Sequence, residues 1–105
     1  MSFEYKVQFD TLEWIDTGQG IRYKSFQQNG FQLRVIEFSK GMQHDHWCTT
    51  GHMGYVIEGQ LDIQFSNAKV TYKTGDSLFI PGGEEHKHKP DAVTEHVTIF
   101  SIEKT

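Results

Sequence analysis

The stretch that decides the fold is Gly75-Asp-Ser-Leu-Phe-Ile-Pro-Gly-Gly-Glu-Glu-His86. Its apolar centre, residues 77–80, predicts a short buried strand. Pro81 ends that strand because proline has no amide hydrogen for a β ladder. Glycines stand on both sides of the strand, where tight turns favour them. The turn after the strand leads to a histidine, and imidazole is the commonest protein ligand of transition metals.

Three further histidines, His44, His46 and His52, lie within nine residues of one another. A His-x-His pair on an extended chain places both rings on one face, because side chains alternate with period two. With His86 they form the candidate set of metal ligands. The alternatives are a surface-strand pair for His44 and His46, a loop residue for His86, and for His52 a buried ring bonded to a carbonyl.

Short runs of alternating apolar and polar residues recur along the chain, and no segment has sustained helical spacing. We expect strands at residues 3–9, 21–26, 31–38, 53–57, 61–65, 70–72, 77–80 and 94–102. The alternation changes phase near Ile36, which predicts a bulge there. Residues 10–16 form one turn of helix at most. Short, glycine-divided strands of this kind are typical of an antiparallel β-sandwich or barrel.

Length and composition narrow the class of protein. The chain has 105 residues and a net charge of −4, from 10 basic and 14 acidic side chains. This size suits one domain, and this charge argues against a nucleic-acid partner. Neither a signal peptide nor a membrane-spanning apolar segment is visible. Cys48 is the only cysteine, so an intramolecular disulfide is excluded. We therefore expect a cytoplasmic protein without a membrane partner.

The chain resembles the cupin superfamily. Gly75, Pro81, Gly83 and His86 match the second family motif, Gly-x5-Pro-x-Gly-x2-His. His44-Asp45-His46 and the segment His52-Met-Gly-Tyr-Val-Ile-Glu-Gly59 resemble the first motif. The resemblance implies an all-β, single-domain jelly-roll barrel (a double-stranded β-helix) over residues 1–105, with a motif-bearing core at about 31–102. It also implies a metal site inside the barrel.

The chain departs from the family pattern at several positions. Family members usually carry glutamate where this chain has His52, and Pro90 stands where the family often has asparagine. The spacing around His44 and His46 also differs. The resemblance still implies His44, His46 and His86 as ligands, while His52 rests on its position and chemistry together. Imidazole ligands suit zinc, nickel, iron(II) or copper and disfavour magnesium and calcium.

The remaining polar side chains near the motifs are interpreted as non-ligands. Cys48 is interpreted as an inert small residue, although a thiolate is an excellent ligand for a soft metal. His88 is expected to be solvated or to hydrogen-bond to a metal ligand from behind. His96 is expected to have its hydrogen bonds satisfied within the last strand. Glu84 and Glu85 are expected to lie in a solvated loop. Three aromatic residues are expected to line the barrel: Trp47, Tyr55 and Phe79.

Three functions remain open at this point. The first is a metal-dependent enzyme acting on an unidentified small molecule, dioxygenase-like or isomerase-like by analogy with the family. The second is a non-catalytic module that binds or senses a metal or small ligand, and the third is a purely structural cupin. Similarity to small cupins also implies a homodimer, formed through sheet faces or through exchange of the N-terminal segment, residues 3–9.

Overall fold

The protein folds into two antiparallel β-sheets, which confirms the predicted all-β class. A computed structural model describes residues 3–105, apart from the side chain of Ala92. The strands are β1 (Ile15–Asp16), β2 (Ile21–Gln28), β3 (Phe31–Ser39), β4 (His52–Glu58), β5 (Gln60–Phe65), β6 (Lys69–Lys73), β7 (Ser77–Ile80), β8 (His88–Val93) and β9 (His96–Lys104). Short 3₁₀ turns cover Phe9–Thr11 and Glu84–His86.

The larger sheet has the strand order β1-β2-β3-β9-β4-β7, and the smaller sheet has the order β6-β5-β8. Their facing sides bury an aliphatic core, because alternate residues of each strand point inward. The core residues are Ile36, Phe38, Val56, Leu61, Ile63, Leu78, Ile80, Val97 and Ile99. No helix within the described residues is long and apolar enough to cross a membrane.

The inner face of β9 changes character along its length. Val97 and Ile99 are buried in the aliphatic core, while Ser101 and Glu103 further along the same face are also buried. On the neighbouring strand β3, Arg34 lies opposite Ser101. Buried polar groups need hydrogen-bond partners, so this end of the barrel interior is where polar side chains converge.

The bulge predicted near Ile36 is wrong. β3 keeps an unbroken register with both β2 and β9. The phase shift in the sequence arises because Val35 and Ile36 lie on opposite faces of β3, where Val35 is opposite Phe100 and Ile36 is opposite Ile99. Register shifts occur elsewhere, between Val56 and Glu58 in the β4–β9 ladder and between Asp62 and Ile63 in the β5–β8 ladder.

The predicted strand at residues 3–9 is also wrong, because this segment forms no strand. Instead, the Gln28 side chain accepts a hydrogen bond from the Glu4 amide at 2.8 Å and donates one to the Glu4 carbonyl at 3.1 Å. Phe9 packs edge-on against Phe100, with ring centroids 6.1 Å apart. The alternating pattern therefore reflects docking by side chains rather than ladder formation.

Strand β8, which contains Pro90, is not among the strands predicted from the sequence. Pro90 lies opposite Ile63, beside the register shift in the β5–β8 ladder. β8 is also at the edge of its sheet. Edges and bulges are the positions at which a β-sheet tolerates proline. The strand therefore carries His88 into the interior, which a loop would not do.

The motif loop between β7 and β8 is held by backbone hydrogen bonds. Gly83 has a φ of 116°, a conformation that favours glycine. Its amide donates to the Thr49 carbonyl at 2.9 Å. The loop thus fixes the segment that precedes β4, which contains Cys48.

Candidate metal centre

Cys48 and His88 are joined by a two-hydrogen-bond antiparallel bridge. The Cys48 amide donates to the His88 carbonyl at 2.7 Å, and the His88 amide donates to the Cys48 carbonyl at 3.0 Å. Residues directly opposite each other in an antiparallel pair point to the same side of the sheet. The bridge therefore presents the thiol and the imidazole together.

His52, the first residue of β4, completes a cluster with this pair. Its Nε2 lies 3.9 Å from the Cys48 Sγ, and its ring centroid lies 5.1 Å from that of His88. One potential donor atom from each of the three residues lies within 4.8 Å of the other two. This separation is roughly twice a metal–ligand bond of about 2.0–2.3 Å, so one ion can reach all three.

Hydrogen bonds fix both imidazole rings through their Nδ1 atoms. His52 Nδ1 lies 2.7 Å from Glu103 Oε2 and 3.2 Å from Ser101 Oγ. His88 Nδ1 lies 3.1 Å from the His86 carbonyl oxygen, to which it donates. Metal-bound histidines commonly have their second nitrogen held by a carboxylate or carbonyl in this way. Both Nε2 atoms are thereby left for another partner.

The His88 Nε2 atom is buried and has no hydrogen-bond partner in the part of the chain that the structure describes. Burying a polar atom without a partner is unfavourable. A metal ion between His88, Cys48 and His52 would satisfy this nitrogen, and two imidazoles with a thiolate are a suitable donor set for zinc and related ions. The residues present therefore fit a metal.

Glu103 is the residue behind His52, and it is itself held on several sides. Arg34 donates to Glu103 Oε2 through Nε at 3.2 Å and through Nη2 at 2.5 Å. Gln32 donates to Oε1 at 3.0 Å, and the Ser101 hydroxyl donates to Oε2 at 3.1 Å. Only 6% of the Glu103 side chain is exposed. The carboxylate is therefore rigidly positioned against the His52 ring.

These contacts shift three pKa values in the metal-free protein. A hydrogen bond from His52, and then the proximity of the His88 ring, lower the pKa of the Cys48 thiol to about 5. Burial lowers the pKa of His52, but its bonds to Cys48 and Glu103 outweigh burial and raise that pKa to about 9. Burial raises the pKa of Glu103, but His52 and Arg34 outweigh it and lower that pKa to about 2. A thiolate beside an imidazolium results.

The cluster opens onto a cavity of about 140 Å³ between the two sheets. His44 lines the same cavity, and its Nδ1 is buried without a hydrogen-bond partner among the described residues. Of the four predicted ligands, the structure thus brings His44 and His52 to this cavity. His44 lies outside the group whose donor atoms converge within 4.8 Å.

His46 and His86 are placed differently from His44 and His52. His46 is exposed, with its ring centroid 6.5 Å from that of His44. Residues 44–46 belong to no strand, so the period-two rule does not bring the two rings together. His86 lies in the 3₁₀ turn Glu84–His86, where its side chain is 43% exposed and its Nε2 lies 3.7 Å from Glu85.

Cys48 and His88 were not among the predicted ligands. A signal for His88 is present in the sequence, because Lys87, Lys89 and Asp91 alternate with His88 and Pro90. Period-two alternation predicts a strand with His88 facing inward. No comparable local pattern surrounds Cys48, whose position depends on its bridge to a residue forty positions away.

The three aromatic residues predicted to line the barrel lie outside it. Trp47 is 40% exposed, Tyr55 47% and Phe79 74%. Tyr55 and Phe79 are on the outer face because inward positions of β4 and β7 belong to Val56, Leu78 and Ile80. Trp47 packs instead beneath two ammonium groups, those of Lys87 and Lys89.

Comparison with solved structures supports the same architecture. An RmlC-like cupin from Shewanella frigidimarina is 18% identical, with a TM-score of 0.77 and coverage of 97% of this chain and 91% of that chain. KdgF from Halomonas sp. is 20% identical, with a TM-score of 0.71 and coverage of 91% of each chain. The polyketide cyclase RemF from Streptomyces resistomycificus is 16% identical, with a TM-score of 0.73 and coverage of 97% and 80%. At these identities the likeness shows the fold alone.

No curated protein matches the chain. The family described as Cupin domain matches residues 36–102, which is more than half of the chain and contains both motifs and the Cys48–His52–His88 cluster. The protein therefore belongs to the cupin domain family.

Proposed function

We propose that this cupin is a metal-dependent enzyme that binds one divalent transition-metal ion through Cys48, His52 and His88. The buried, unpartnered Nε2 of His88 carries the proposal, because it meets a thiol and a second imidazole at the wall of a cavity. When bound, the ion would supply Lewis-acid chemistry to a small molecule in that cavity. The chain itself would orient the ligands and exclude water.

The donor set bears on which metal is bound. A thiolate with two neutral imidazoles favours zinc, iron(II), nickel or copper over magnesium and calcium, which prefer oxygen ligands. Three protein ligands would leave a position for an exchangeable molecule, as in catalytic zinc sites. Glu103 would hold His52 in the tautomer that offers Nε2 to the ion. A thiolate ligand also suits a reducing compartment such as the cytoplasm.

His44 favours a second candidate function, a non-catalytic module that binds or senses metal. Its buried Nδ1 has no hydrogen-bond partner among the described residues, and it lines the same cavity. If this ring turned toward the cluster, four protein ligands would close the coordination sphere. A closed sphere without exchangeable water would then count against catalysis.

The set His44, His46, His52 and His86 remains the prediction drawn from the sequence motifs. His52 belongs to both sets. The exposure of His46 and His86 supports the Cys48–His52–His88 set instead, because exposed imidazoles are satisfied by water. The two sets differ at residues that can be substituted singly.

We also propose that two copies of the chain pair through the outer face of the larger sheet. Phe79, Met53 and Ile102 lie side by side on three neighbouring strands, and are 74%, 53% and 38% exposed. Tyr55 and Ile57 extend this patch, the outer apolar patch. Its area is on the order of 500 Å², enough for the apolar core of an interface of about 800 Å² per partner.

Metal stoichiometry tests the proposed centre. The chain, purified without an affinity tag or chelator, should contain or take up one equivalent of zinc, iron(II), nickel or copper per chain by elemental analysis. X-ray absorption at the metal edge should report one sulfur and at least two nitrogen ligands. A protein that takes up none of these ions after reconstitution would overturn both the enzyme and the sensing proposals.

A further inference from the structure

The cavity beside the Cys48–His52–His88 cluster has walls of two different kinds. Its polar lining consists of the cluster together with His44 and Arg34, and the cluster's donor atoms occupy a span of only 4.8 Å. The rest of the lining is hydrocarbon: Ile21, Ile36, Phe38, Leu61, Ile63, Leu78, Ile80, Pro90 and Ile99. A molecule in this cavity therefore meets one polar region and is otherwise surrounded by aliphatic and aromatic side chains.

The positive charge of Arg34 is paired with Glu103 inside the protein. Its guanidinium donates twice to Glu103 and lies 5.2 Å from the Tyr23 ring centroid. Among the lining residues that the structure describes, there is no lysine, aspartate or glutamate. A sugar, phosphate ester or amino acid would lose its hydration here without gaining matching partners, which is unfavourable. Molecules with several polar groups are therefore selected against.

The size of the cavity limits the ligand further. At about 140 Å³, it is similar to apolar protein cavities of about 150 Å³ that bind benzene. Pockets for drug-sized ligands are larger, roughly 300–1,000 Å³. The space therefore accommodates a body of about six carbon atoms.

We propose that the ligand of this cavity is a compact, mainly apolar molecule, such as a monocyclic aromatic or branched aliphatic compound, with one oxygen or sulfur donor directed at the metal. This substrate class rests on the proposed metal function. An anionic donor suits the site, because a divalent ion with one thiolate and two neutral imidazoles keeps a positive charge.

Binding of small probes to the zinc-loaded and the chelator-treated protein tests the proposal. Benzene has a six-carbon apolar ring without a donor atom, and phenol has the same ring with one oxygen donor. Glycerol is similarly small but polar, and 1-naphthol has a larger apolar ring system. By calorimetry or ligand-observed NMR, benzene should bind both forms equally. Phenol should bind the zinc-loaded form at least about tenfold more tightly than the chelator-treated form. Glycerol and 1-naphthol should not bind measurably.

The outcomes separate this proposal from the metal centre itself. Stoichiometric zinc without binding of benzene or phenol would overturn the ligand class and leave the metal centre intact. Benzene binding without zinc uptake would overturn the metal centre and the donor half of the ligand proposal. Glycerol binding as tightly as phenol would overturn the apolar selection.

Two cavity variants sharpen the test. Ile63→Phe fills the cavity and should weaken phenol binding at least about tenfold while one equivalent of zinc is retained. Ile15→Phe, at an exposed position of β1 outside the cavity lining, is the matched control and should bind phenol like the parent protein. Ile99→Ala enlarges the cavity and should gain binding of 1-naphthol, which keeps the proposal testable if Ile63→Phe does not fold. Unchanged phenol binding in folded Ile63→Phe, or no 1-naphthol binding by folded Ile99→Ala, would overturn the assignment of the cavity.

Discussion

Cys48 and His88 lie directly opposite each other across an antiparallel bridge whose two N–O distances are 2.7 and 3.0 Å. Their backbones are therefore fixed relative to each other, although forty positions of sequence separate them. Such a pair places a thiol and an imidazole on the same side of the sheet. His52 approaches this pair from the larger sheet, so the cluster joins both halves of the barrel.

Single substitutions should distinguish the two proposed ligand sets. We expect Cys48→Ser and His88→Ala to lose stoichiometric metal binding, because each removes one of three converging donors. We expect His46→Ala and His86→Ala to retain one equivalent, since His46 is exposed and the His86 side chain is only half-buried. Elemental analysis after dialysis measures the stoichiometry. The cobalt(II) forms of the parent protein, His46→Ala and His86→Ala should show sulfur-to-cobalt charge-transfer absorption, which should be absent when cobalt(II) is added to Cys48→Ser.

The opposite pattern would support the motif-derived set. If His46→Ala or His86→Ala abolishes metal binding while His88→Ala keeps a full equivalent, the ion is held by His44, His46, His52 and His86. His52→Ala is expected to lose the metal under either assignment, so it serves as the positive control. His96→Ala, on an exposed strand position outside both sets, serves as the negative control.

Metal binding near neutral pH should release about one proton from the Cys48–His52 pair. The pKa of Cys48, lowered to about 5, makes it a thiolate at pH 7. The pKa of His52, raised to about 9, makes it an imidazolium that must lose its Nε2 proton to bind a metal. Calorimetric titrations in buffers with different ionisation enthalpies measure this number. Below about pH 5 the thiol is also protonated, so affinity should fall more steeply with acidification.

Two results would contradict this proton balance. Observed binding enthalpies that do not depend on the buffer would mean that no proton leaves, and His52 would then be neutral before the metal binds. Complete retention of metal on dialysis at about pH 4 would contradict competition between protons and the ion. Glu95→Gln alters only an exposed ion pair with Lys40. It should leave the number of released protons unchanged.

The sequence predicts the strands and turns better than the candidate metal centre, because strands and turns are specified by local sequence. Strands such as β7 are specified locally, by an apolar run that a proline ends, and the structure confirms residues 77–80. The motif glycines likewise predict turns, and Gly75 and Gly83 have positive φ. Positions at which local pattern and backbone requirement agree can be identified without knowing which strands become neighbours.

The Cys48–His52–His88 cluster depends on contacts between distant parts of the chain. Cys48 is positioned by its pairing with His88, and His52 is oriented by Glu103, fifty-one positions away in the sequence. Neither relationship leaves a periodic signal. The His44–His46 pair has a familiar spacing, yet residues 44–46 form no strand. Two of the residues chosen by spacing, His44 and His52, line the cavity, while the contacts of His52 with Cys48 and His88 depend on the tertiary structure.

Glu103 should make the stability of the metal-free protein depend on acidic pH. Its folded-state pKa of about 2 lies below its ordinary value of 4.5. The carboxylate therefore contributes stability that is fully present above about pH 4.5 and is lost as the pH falls toward 2. Relative to Glu103→Gln, the parent protein should lose up to about 1.4 kcal/mol of unfolding free energy per pH unit in this window. Urea unfolding at a series of pH values measures the difference.

Glu103→Gln also tests the role of the carboxylate that contacts His52 Nδ1. At neutral pH, Glu103→Gln leaves Arg34 without its buried ionic partner, and we expect a loss of about 3–5 kcal/mol of stability. Metal affinity should fall by about 10–100-fold, since the His52 ring loses its oriented acceptor. Glu95→Gln is the matched control and should follow the parent protein in both measurements, because exposed ion pairs contribute little. Parallel pH curves for Glu103→Gln and the parent would contradict the assigned role.

The outer apolar patch should control self-association without affecting the metal centre. We expect the parent chain to sediment as a dimer, and Phe79→Lys to sediment as a monomer, because a charge at the most exposed side chain of the patch cannot be buried cheaply. Val70→Lys, at an exposed position of β6 in the other sheet, should remain dimeric. Sedimentation velocity over a range of protein concentrations distinguishes these states.

A parent chain that stays monomeric at every concentration, or a Phe79→Lys variant that stays dimeric, would exclude this face as the interface. Because Cys48, His52 and His88 face the interior while Phe79 faces outward, the monomeric variant should still bind one equivalent of metal.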